Sequence, residues 1–296
     1  GKKGQKMEDL ERAGLVVPGK RYDRFRNRLV FPINNARGLT VGFSGRVLPS
    51  SAPAGATEGQ AAKYVNTPET EIFHKSDLLY GLDVSRAEIK AAGWAVAVEG
   101  QMDVIASWQA GVRNVVGVGG TALTERQVEL LRRLGDTIVL ALDTDWAGDA
   151  AARRGMEMAD RAGLMVKMVR IVGAKDPGEL ATISPEEWKK AVLAAIPIYD
   201  FYLQSAVGRY GLEVEGKKRI GQELLPIWAN IADEIVKAHY VKVLGKTLGV
   251  EEQDVRAQMA KLTRKGGEAE PATAEKATDV RDEREKYVVK LAILGE

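Results

Sequence analysis

Four acidic residues follow segments that the sequence predicts to be strands, and they are Glu99, Asp143, Asp145 and Asp176. Carboxylates that gather at one place repel each other. A bound divalent cation relieves that repulsion, because each oxygen ligand gains from the double charge. Asp143 and Asp145 are two residues apart, so both side chains can point to the same side of a strand end. The pattern favours a metal site that could stabilise the attacking and leaving oxygens of phosphoryl transfer.

The elements that must position these acids alternate between strands and helices. Short apolar runs predict strands at Trp94–Val98, Val115–Val118, Thr137–Leu142 and Met165–Val172. The intervening segments carry apolar residues at helical spacing, and Thr124 with Gln127 has the spacing of a capping box at a helix start. This alternation predicts an α/β fold with a parallel sheet and right-handed crossovers. The carboxyl ends of such strands share one edge, where open α/β proteins place their active sites.

Each acid also has a simpler interpretation. An acid after a strand can cap the following helix. An Asp-x-Asp pair after a strand also occurs in phosphatases and sugar transferases of other folds. Both interpretations stay open for the single residues, and the grouping of acids at three strand ends is what favours the metal site.

Composition narrows the chemistry further. The chain has 296 residues, 45% of them apolar, which suits two or three compact units with real cores. There is no cysteine, which excludes disulfides and cysteine-based zinc sites. With only His74 and His239, a metal would be held mainly by carboxylates, which favour magnesium, manganese or calcium. No signal peptide or apolar run of roughly 18 residues is present, so we expect a soluble cytoplasmic protein.

Shifts in composition predict four regions, with bounds at 1–90, 91–175, 176–264 and 265–296. The first is basic, the second carries the strands and acids, and the third is helical. The fourth begins with a polar, linker-like stretch and ends in an apolar helical pattern. The chain starts at Gly1 without a methionine, and we interpret it as part of a longer protein.

Several motifs carry a family resemblance. Glu99-Gly100-Gln101-Met102-Asp103, followed by Ala141-Leu142-Asp143-Thr144-Asp145, resembles the Toprim signature of topoisomerases, gyrases, some nucleases and DnaG-type primases. Other stretches resemble the amino-terminal half of the DnaG-type primase polymerase domain, namely 22–28, 31–33, 42–46, 63–70, 73–75 and 79–82. With Gly120–Thr124 and Lys175–Pro177, the resemblance covers about residues 8–185.

This resemblance implies a Toprim-type parallel sheet flanked by helices, between a mixed α/β basic subdomain and a helical carboxy-terminal subdomain. It implies a DNA primase that makes short RNA primers on single-stranded DNA from ribonucleoside triphosphates during replication. Magnesium would serve the nucleotidyl transfer, with manganese able to substitute. The family's zinc domain is missing from this cysteine-free chain. The helix after residue 280 would begin the domain that binds the replicative helicase. We expect a monomer with no membrane partner.

Site residues follow by the same resemblance. Glu99 corresponds to an acid proposed as metal ligand or general base, Asp143 and Asp145 to metal ligands, and Asp176 to a further acid. The residues expected to bind nucleotide or template are Arg26, Arg46, Lys63, Asn66 and Lys75. An alternative stays open for Arg24, Arg26 and Arg28, which could alternate outward along a strand as solvated positions.

The chain departs from the family pattern at three positions. Thr144 replaces the usual Gly, Gly119 replaces a larger apolar residue, and Gly178 replaces a second Asp. Glu179 could reach the same ion as the missing Asp. Three rivals to the primase hypothesis share some of these features: a Toprim nuclease, a topoisomerase fragment and a binding module without catalysis.

Overall fold

A computed structural model describes residues 4, 6–20, 22–48, 62–120, 123–142 and 150–267. The chain forms two compact units. Of the described residues, the first unit holds those up to Gly211 and Ile231–Asp233, and the second holds Leu212–Asn230 and residues 234–267.

The first unit begins with helix α1 (Met7–Arg12) and an antiparallel sheet of β1 (Arg28–Asn34), β2 (Thr40–Val47) and β3 (Tyr64–Asn66), in that order. One face of this sheet packs on aromatic rings, with Phe25 and Phe43 in edge contact at 6.0 Å between centroids. Gly45 lies on that face, because a Cβ there would come within 2.8 Å of the Phe25 ring. Side chains alternate along a strand, so Ser44 and Arg46 project from the opposite face.

A second sheet contains β4 (Trp94–Val98), β5 (Val115–Gly117), β6 (Thr137–Ala141), β7 (Met165–Met168) and β8 (Ile196–Pro197), in the order β5-β4-β6-β7-β8. The four strands predicted from sequence are confirmed and are parallel to one another. The last predicted strand ends at Met168 rather than Val172. β8 is antiparallel to β7 and was not predicted, because two residues carry no periodic signal.

Helices cover this sheet, and they are α2 (Leu82–Ala92), α3 (Gln101–Gln109), α4 (Glu125–Arg132), α5 (Ala150–Arg161), α6 (Pro177–Ile183), α7 (Pro185–Leu193) and α8 (Ile198–Tyr210). The core centres on β4, whose Val96 and Val98 are fully buried in a cluster that includes Trp188. The predicted capping box of α4 is confirmed. The Thr124 hydroxyl accepts from the Gln127 backbone N–H at 3.2 Å, and the Gln127 side chain accepts from the Thr124 N–H at 3.1 Å.

The second unit consists of α9 (Val214–Ala229), α10 (Glu234–Leu248) and α11 (Glu252–Gly267) among its described residues. Its core holds Trp228, which is fully buried and packs on Tyr240 with ring centroids 5.8 Å apart. Residues 265–267 were expected in a linker but are helical. The residues before Gly266 have good helix propensity, so the helix continues through residues 265–267.

None of the helices described here is both long and apolar enough to cross a membrane.

Candidate active site

A cleft of about 720 Å³ opens beside the carboxyl ends of the parallel strands and is lined by residues of both sheets. Val98 of β4 pairs with Ala141 of β6, so these two strands end at the same level. Glu99 follows β4 directly, and its carbonyl accepts a hydrogen bond from the Gly119 N–H at 2.9 Å. That bond ties the end of β4 to the segment after β5, so Glu99 stands on rigid backbone.

The acidic side of the cleft is formed by Glu99, Asp103, Asp176 and Glu179. One oxygen of Asp103 accepts from the Gly100 N–H at 3.0 Å, and one oxygen of Asp176 accepts from the Glu179 N–H at 2.7 Å. Glu179 in turn accepts from the Lys175 N–H at 2.7 Å. Asp176 therefore caps α6, as the simpler interpretation expects, and also lines the cleft. Each of these hydrogen bonds uses one carboxylate oxygen and orients the group.

The opposite side of the cleft is basic and polar, and it is formed by Ser44, Arg46, Lys63, Tyr64 and Asn66. These residues come from β2, β3 and the residue just before β3. Arg46 and Tyr64 are cross-strand partners, and the guanidinium carbon lies 5.8 Å from the centroid of the Tyr64 ring. The ring limits the freedom of the guanidinium and holds its charge at the cleft.

The structure thus brings together Glu99, Asp176, Arg46, Lys63 and Asn66 of the predicted site residues. Lys75 lies beside Gly119, since its Cε is 3.5 Å from where a Cβ on that glycine would be. Asp143 and Asp145 lie outside the described residues, and so does Thr144.

The interpretation of Arg24, Arg26 and Arg28 as alternating strand positions is wrong. β1 begins only at Arg28, and a turn precedes it, in which Asn27 has a positive φ of 54°. Arg24 donates to the Gly14 carbonyl at 3.0 Å, and Arg28 donates to the Gly45 carbonyl at 3.0 Å. Both therefore brace local backbone.

Arg26 is exposed and lies over the Tyr22 ring, 4.0 Å from its centroid. Arg26 is not among the described residues that line the cleft. Its predicted role in binding nucleotide or template stays a prediction.

The space that Gly178 leaves without a side chain is occupied by the carboxylate of Asp103. A Cβ on Gly178 would lie 2.5 Å from one carboxylate oxygen of Asp103, which occupies the space of a side chain at residue 178. The missing acid at Gly178 is therefore accompanied by an acid on α3 that fills the same place. The sequence places Asp103 in the Toprim-like motif, four residues after Glu99, but predicted no role for it at the site.

Gly119 departs from the family pattern for a conformational reason. Its φ of +82° lies in the left-handed region, which a side chain rarely adopts. A larger apolar residue would need a different backbone at the end of β5.

Tyr80 lies beside β5, where its backbone exchanges hydrogen bonds with Gly117. Burial raises the pKa of Tyr80, and the negative charge of Asp83 raises it further. The phenol therefore stays neutral at physiological pH.

The donor set fits a hard divalent cation. The acidic side offers four carboxylate groups, whose oxygens magnesium and manganese prefer. Among the described residues no three acidic or histidine side chains converge as a complete metal-binding group. Two of the four predicted ligands stand outside the described part of the chain.

Three family models match parts of the chain. "DNA primase catalytic core, N-terminal domain" matches residues 1–86, and "Toprim-like" matches residues 96–181. "DnaB-helicase binding domain of primase" matches residues 199–253. This last match lies before residues 281–296, where the apolar helical pattern predicts the start of such a domain.

Known proteins agree with these matches. A DNA primase of Halalkalibacterium halodurans is 32% identical over 94% of this chain, which covers 47% of that relative. The crystal structure of a DNA primase domain from Pseudomonas aeruginosa is 31% identical with a TM-score of 0.67, covering 86% of this chain and 79% of that one. A DnaG primase catalytic domain bound to ssDNA is 31% identical with a TM-score of 0.69, covering 83% and 77%.

A Toprim-type sheet beside a basic antiparallel sheet, with acids at the shared cleft, places the chain in the Toprim class. The chain belongs to the family of bacterial DnaG-type DNA primases. It spans about half the length of the curated relatives it matches.

Proposed function

We propose that this chain is the catalytic core of a primase, which synthesises short RNA primers on single-stranded DNA from ribonucleoside triphosphates. The observation that carries the proposal is one cleft with carboxylates on one side and Arg46 and Lys63 on the other. Template and nucleotide phosphates require the cations, and the acids suit the metal that phosphoryl transfer requires.

The acids would hold the metal, and they are Glu99, Asp143, Asp145 and Asp176. We infer magnesium, with manganese able to substitute, because both prefer oxygen ligands. The bound metal would stabilise charge on the attacking and leaving oxygens. In the reaction the 3′-hydroxyl of the growing primer attacks the α-phosphorus, and pyrophosphate leaves.

The remaining residues bind and orient the substrates. The Arg46 guanidinium is planar and suits bidentate contact with a phosphate, whereas Lys63 offers a compact charge. Asn66, Lys75 and Arg26 complete the predicted contacts with nucleotide or template. Asp103 acts as a positioning residue, since it holds the Gly100 N–H directly after Glu99.

The partners of the proposed function follow from the same family. Single-stranded DNA is the template, in keeping with the related catalytic domain that was solved bound to ssDNA. We infer that the segment matching the helicase-binding model, residues 199–253, contacts the replicative helicase.

Isosteric replacement of the acids tests the proposal. Glu99→Gln and Asp143→Asn should each lower primer synthesis on single-stranded DNA by roughly 100-fold or more, because the metal loses a charged ligand. Asp136→Asn is the matched control, since Asp136 directly precedes β6 and so lies at the opposite edge of the sheet. Its activity should equal that of the wild type. Primer synthesis by Asp143→Asn at the wild-type rate would contradict the assignment.

The same assay separates the rivals. A Toprim nuclease would fragment DNA in the presence of metal without any nucleotide, whereas a primase requires nucleotides to form product. Nucleotide-independent cleavage that Asp143→Asn abolishes would favour the nuclease. The match of residues 1–86 to the amino-terminal primase core favours primer synthesis.

A further inference from the structure

Two polar side chains that line the cleft have hydrogen-bonding atoms without a partner in the described structure. Ser44 and Asn66 are cross-strand partners of β2 and β3, and both line the cleft. Ser44 is 0% exposed. The Ser44 hydroxyl and the Asn66 side-chain carbonyl oxygen are buried without a hydrogen-bond partner in the described part of the protein. Buried polar atoms are nearly always paired, so an orphaned pair at a cleft points to a ligand.

The neighbouring residue Thr67 shows that a buried hydroxyl in this part of the sheet can find hydrogen-bond partners. Thr67 follows Asn66 and is 3% exposed. Its hydroxyl accepts from the Phe43 N–H at 2.8 Å and donates to the Phe43 carbonyl at 3.2 Å. The same two chain segments therefore satisfy the buried hydroxyl of Thr67 and leave Ser44 and Asn66 unsatisfied, toward the cleft.

The chemistry of the two atoms selects the ligand group. A phosphate only accepts hydrogen bonds, so it cannot satisfy the carbonyl oxygen of Asn66. A hydroxyl both donates and accepts, so a single hydroxyl can donate to Asn66 and accept from Ser44. Directly opposed residues on an antiparallel pair have Cβ atoms about 4.5–5.5 Å apart, so the two side chains are close enough to bind the same hydroxyl.

The neighbours of the pair place that hydroxyl on a nucleotide sugar. Arg46 is two residues from Ser44 on the same face of β2, about 7 Å along the strand. A nucleotide whose phosphates contact Arg46 has its sugar hydroxyls within a comparable reach. We propose, on the basis of the proposed function, that Ser44 and Asn66 bind the 2′-hydroxyl of the incoming ribonucleotide and thereby select it over a deoxynucleotide.

This arrangement distinguishes the two nucleotides through hydrogen bonds that only a ribonucleotide can make. The 2′-hydroxyl of a ribonucleotide would pair both polar atoms, whereas a deoxynucleotide leaves them without a partner, as they are in the free protein. A site built to hydrogen-bond a substrate hydroxyl rejects an analogue that lacks it more strongly than a hydrophobic pocket rejects a small change in size.

The test is single-nucleotide extension of an RNA primer annealed to a DNA template. The wild type should use a ribonucleotide on the order of 10-fold to 100-fold better than the matching deoxynucleotide, measured as kcat/KM. Ser44→Ala should lower kcat/KM for the ribonucleotide by about 3-fold to 10-fold and leave the deoxynucleotide unchanged. Asn66→Ala should act in the same direction.

Ser107→Ala is the matched control. Ser107 is also 0% exposed, and its hydroxyl is also unpaired in the described structure, but it is not one of the described residues lining the cleft. The ratio of ribonucleotide to deoxynucleotide use should not change in this variant. Equal ratios in Ser44→Ala and the wild type would overturn the proposal.

Two further readouts separate sugar recognition from other contacts. The effect of Ser44→Ala should be the same for all four bases, and a base-dependent effect would assign the pair to base recognition and overturn the proposal. Affinity for single-stranded DNA without nucleotide should be unchanged, and a loss there would assign the pair to the template instead.

Direct binding distinguishes this inference from the proposed function. Titration calorimetry should show that ATP binds the wild type more tightly than dATP and that Ser44→Ala narrows the difference. If the wild type binds in this way but makes no primer, the proposed function fails while the inference stands. If the wild type makes primers and Ser44→Ala keeps full selectivity, only the inference fails.

Discussion

At the scale of single residues, the cleft is shaped by which side chains are present and which are absent. Gly178 leaves the space that the carboxylate of Asp103 occupies, and Asp103 uses its other oxygen to hold the Gly100 N–H. The position of Glu99 therefore depends on a glycine that is 79 positions later in the chain. The departure from the family pattern at residue 178 is thus accompanied by the placement of the Asp103 carboxylate in the same space.

Gly178→Ala tests this dependence. An added methyl group should displace the Asp103 carboxylate and break its bond to Gly100, which costs about 0.5–1.5 kcal/mol. The gain of about 0.5–1 kcal/mol from replacing a helical glycine should offset most of that cost. Urea unfolding should therefore show little net change in stability, while primer synthesis falls because Glu99 loses its support.

Gly208→Ala provides the comparison, because Gly208 is also helical and has open space around its Cα. This variant should be stabilised by about 0.5–1 kcal/mol. In an Asp103→Ala background, Gly178→Ala should recover the same gain. Equal effects of both glycine substitutions in the wild-type background would show that Asp103 is not displaced.

At the scale of elements, hydrogen bonds at its first turn hold α4 in place beside the parallel sheet. Gln127 is fully buried and closes the capping box of α4. Its side-chain amide also donates to the Leu78 carbonyl at 2.7 Å, in the segment before α2. One residue thus joins a helix start to a loop 49 residues away in the sequence.

Substitutions at this cap should differ in their cost to stability, because the two side chains make different hydrogen bonds. Thr124→Ala removes the capping hydrogen bond and the exposed bond from its hydroxyl to the Ser76 carbonyl at 2.6 Å, and should lower the free energy of unfolding by about 1 kcal/mol. Gln127→Ala also leaves the partly buried Leu78 carbonyl unpaired and should cost about 1–3 kcal/mol. Denaturant unfolding at constant pH measures both values.

Ser184→Ala is the control for the cap, because Ser184 precedes α7 without a side-chain capping bond. Its stability should change by less than about 0.5 kcal/mol. A loss at Ser184 as large as that at Thr124 would mean that the capping bond contributes nothing measurable.

At the scale of the whole molecule, charge is balanced overall but segregated locally. The chain has 43 basic and 41 acidic residues. Within the cleft, the cations Arg46 and Lys63 come from the antiparallel sheet or its immediate flank, whereas the acids follow the parallel one, together with the single cation Lys175. Net charge therefore says little about nucleic-acid binding, since the local distribution determines it.

The salt dependence of template binding reports on this distribution. If Arg46 contacts a template phosphate, Arg46→Ala should reduce the slope of log K against log salt by about 0.7 for single-stranded DNA. Lys190→Ala should leave the slope unchanged, because Lys190 pairs with Glu187 on the surface at 2.7 Å. Fluorescence anisotropy across a salt series measures both slopes, and an unchanged slope in Arg46→Ala would remove Arg46 from the template site.

The sequence by itself determined the parallel strands, the capping box and the place of Glu99 after a buried strand. These features depend on local patterns, namely apolar runs, capping spacing and the alternation of strand and helix. The roles predicted for Asp143 and Asp145 also came from the sequence, and they stay predictions.

Only the tertiary structure decided which distant residues meet. It paired Ser44 with Asn66, set Asp103 against Gly178 and turned Arg24 and Arg28 toward backbone carbonyls. Such contacts join residues far apart in the chain and depend on strand register and on the space that neighbouring side chains leave. No pattern in one stretch of sequence encodes those quantities, because a shift of register by one residue moves every side chain to the other face.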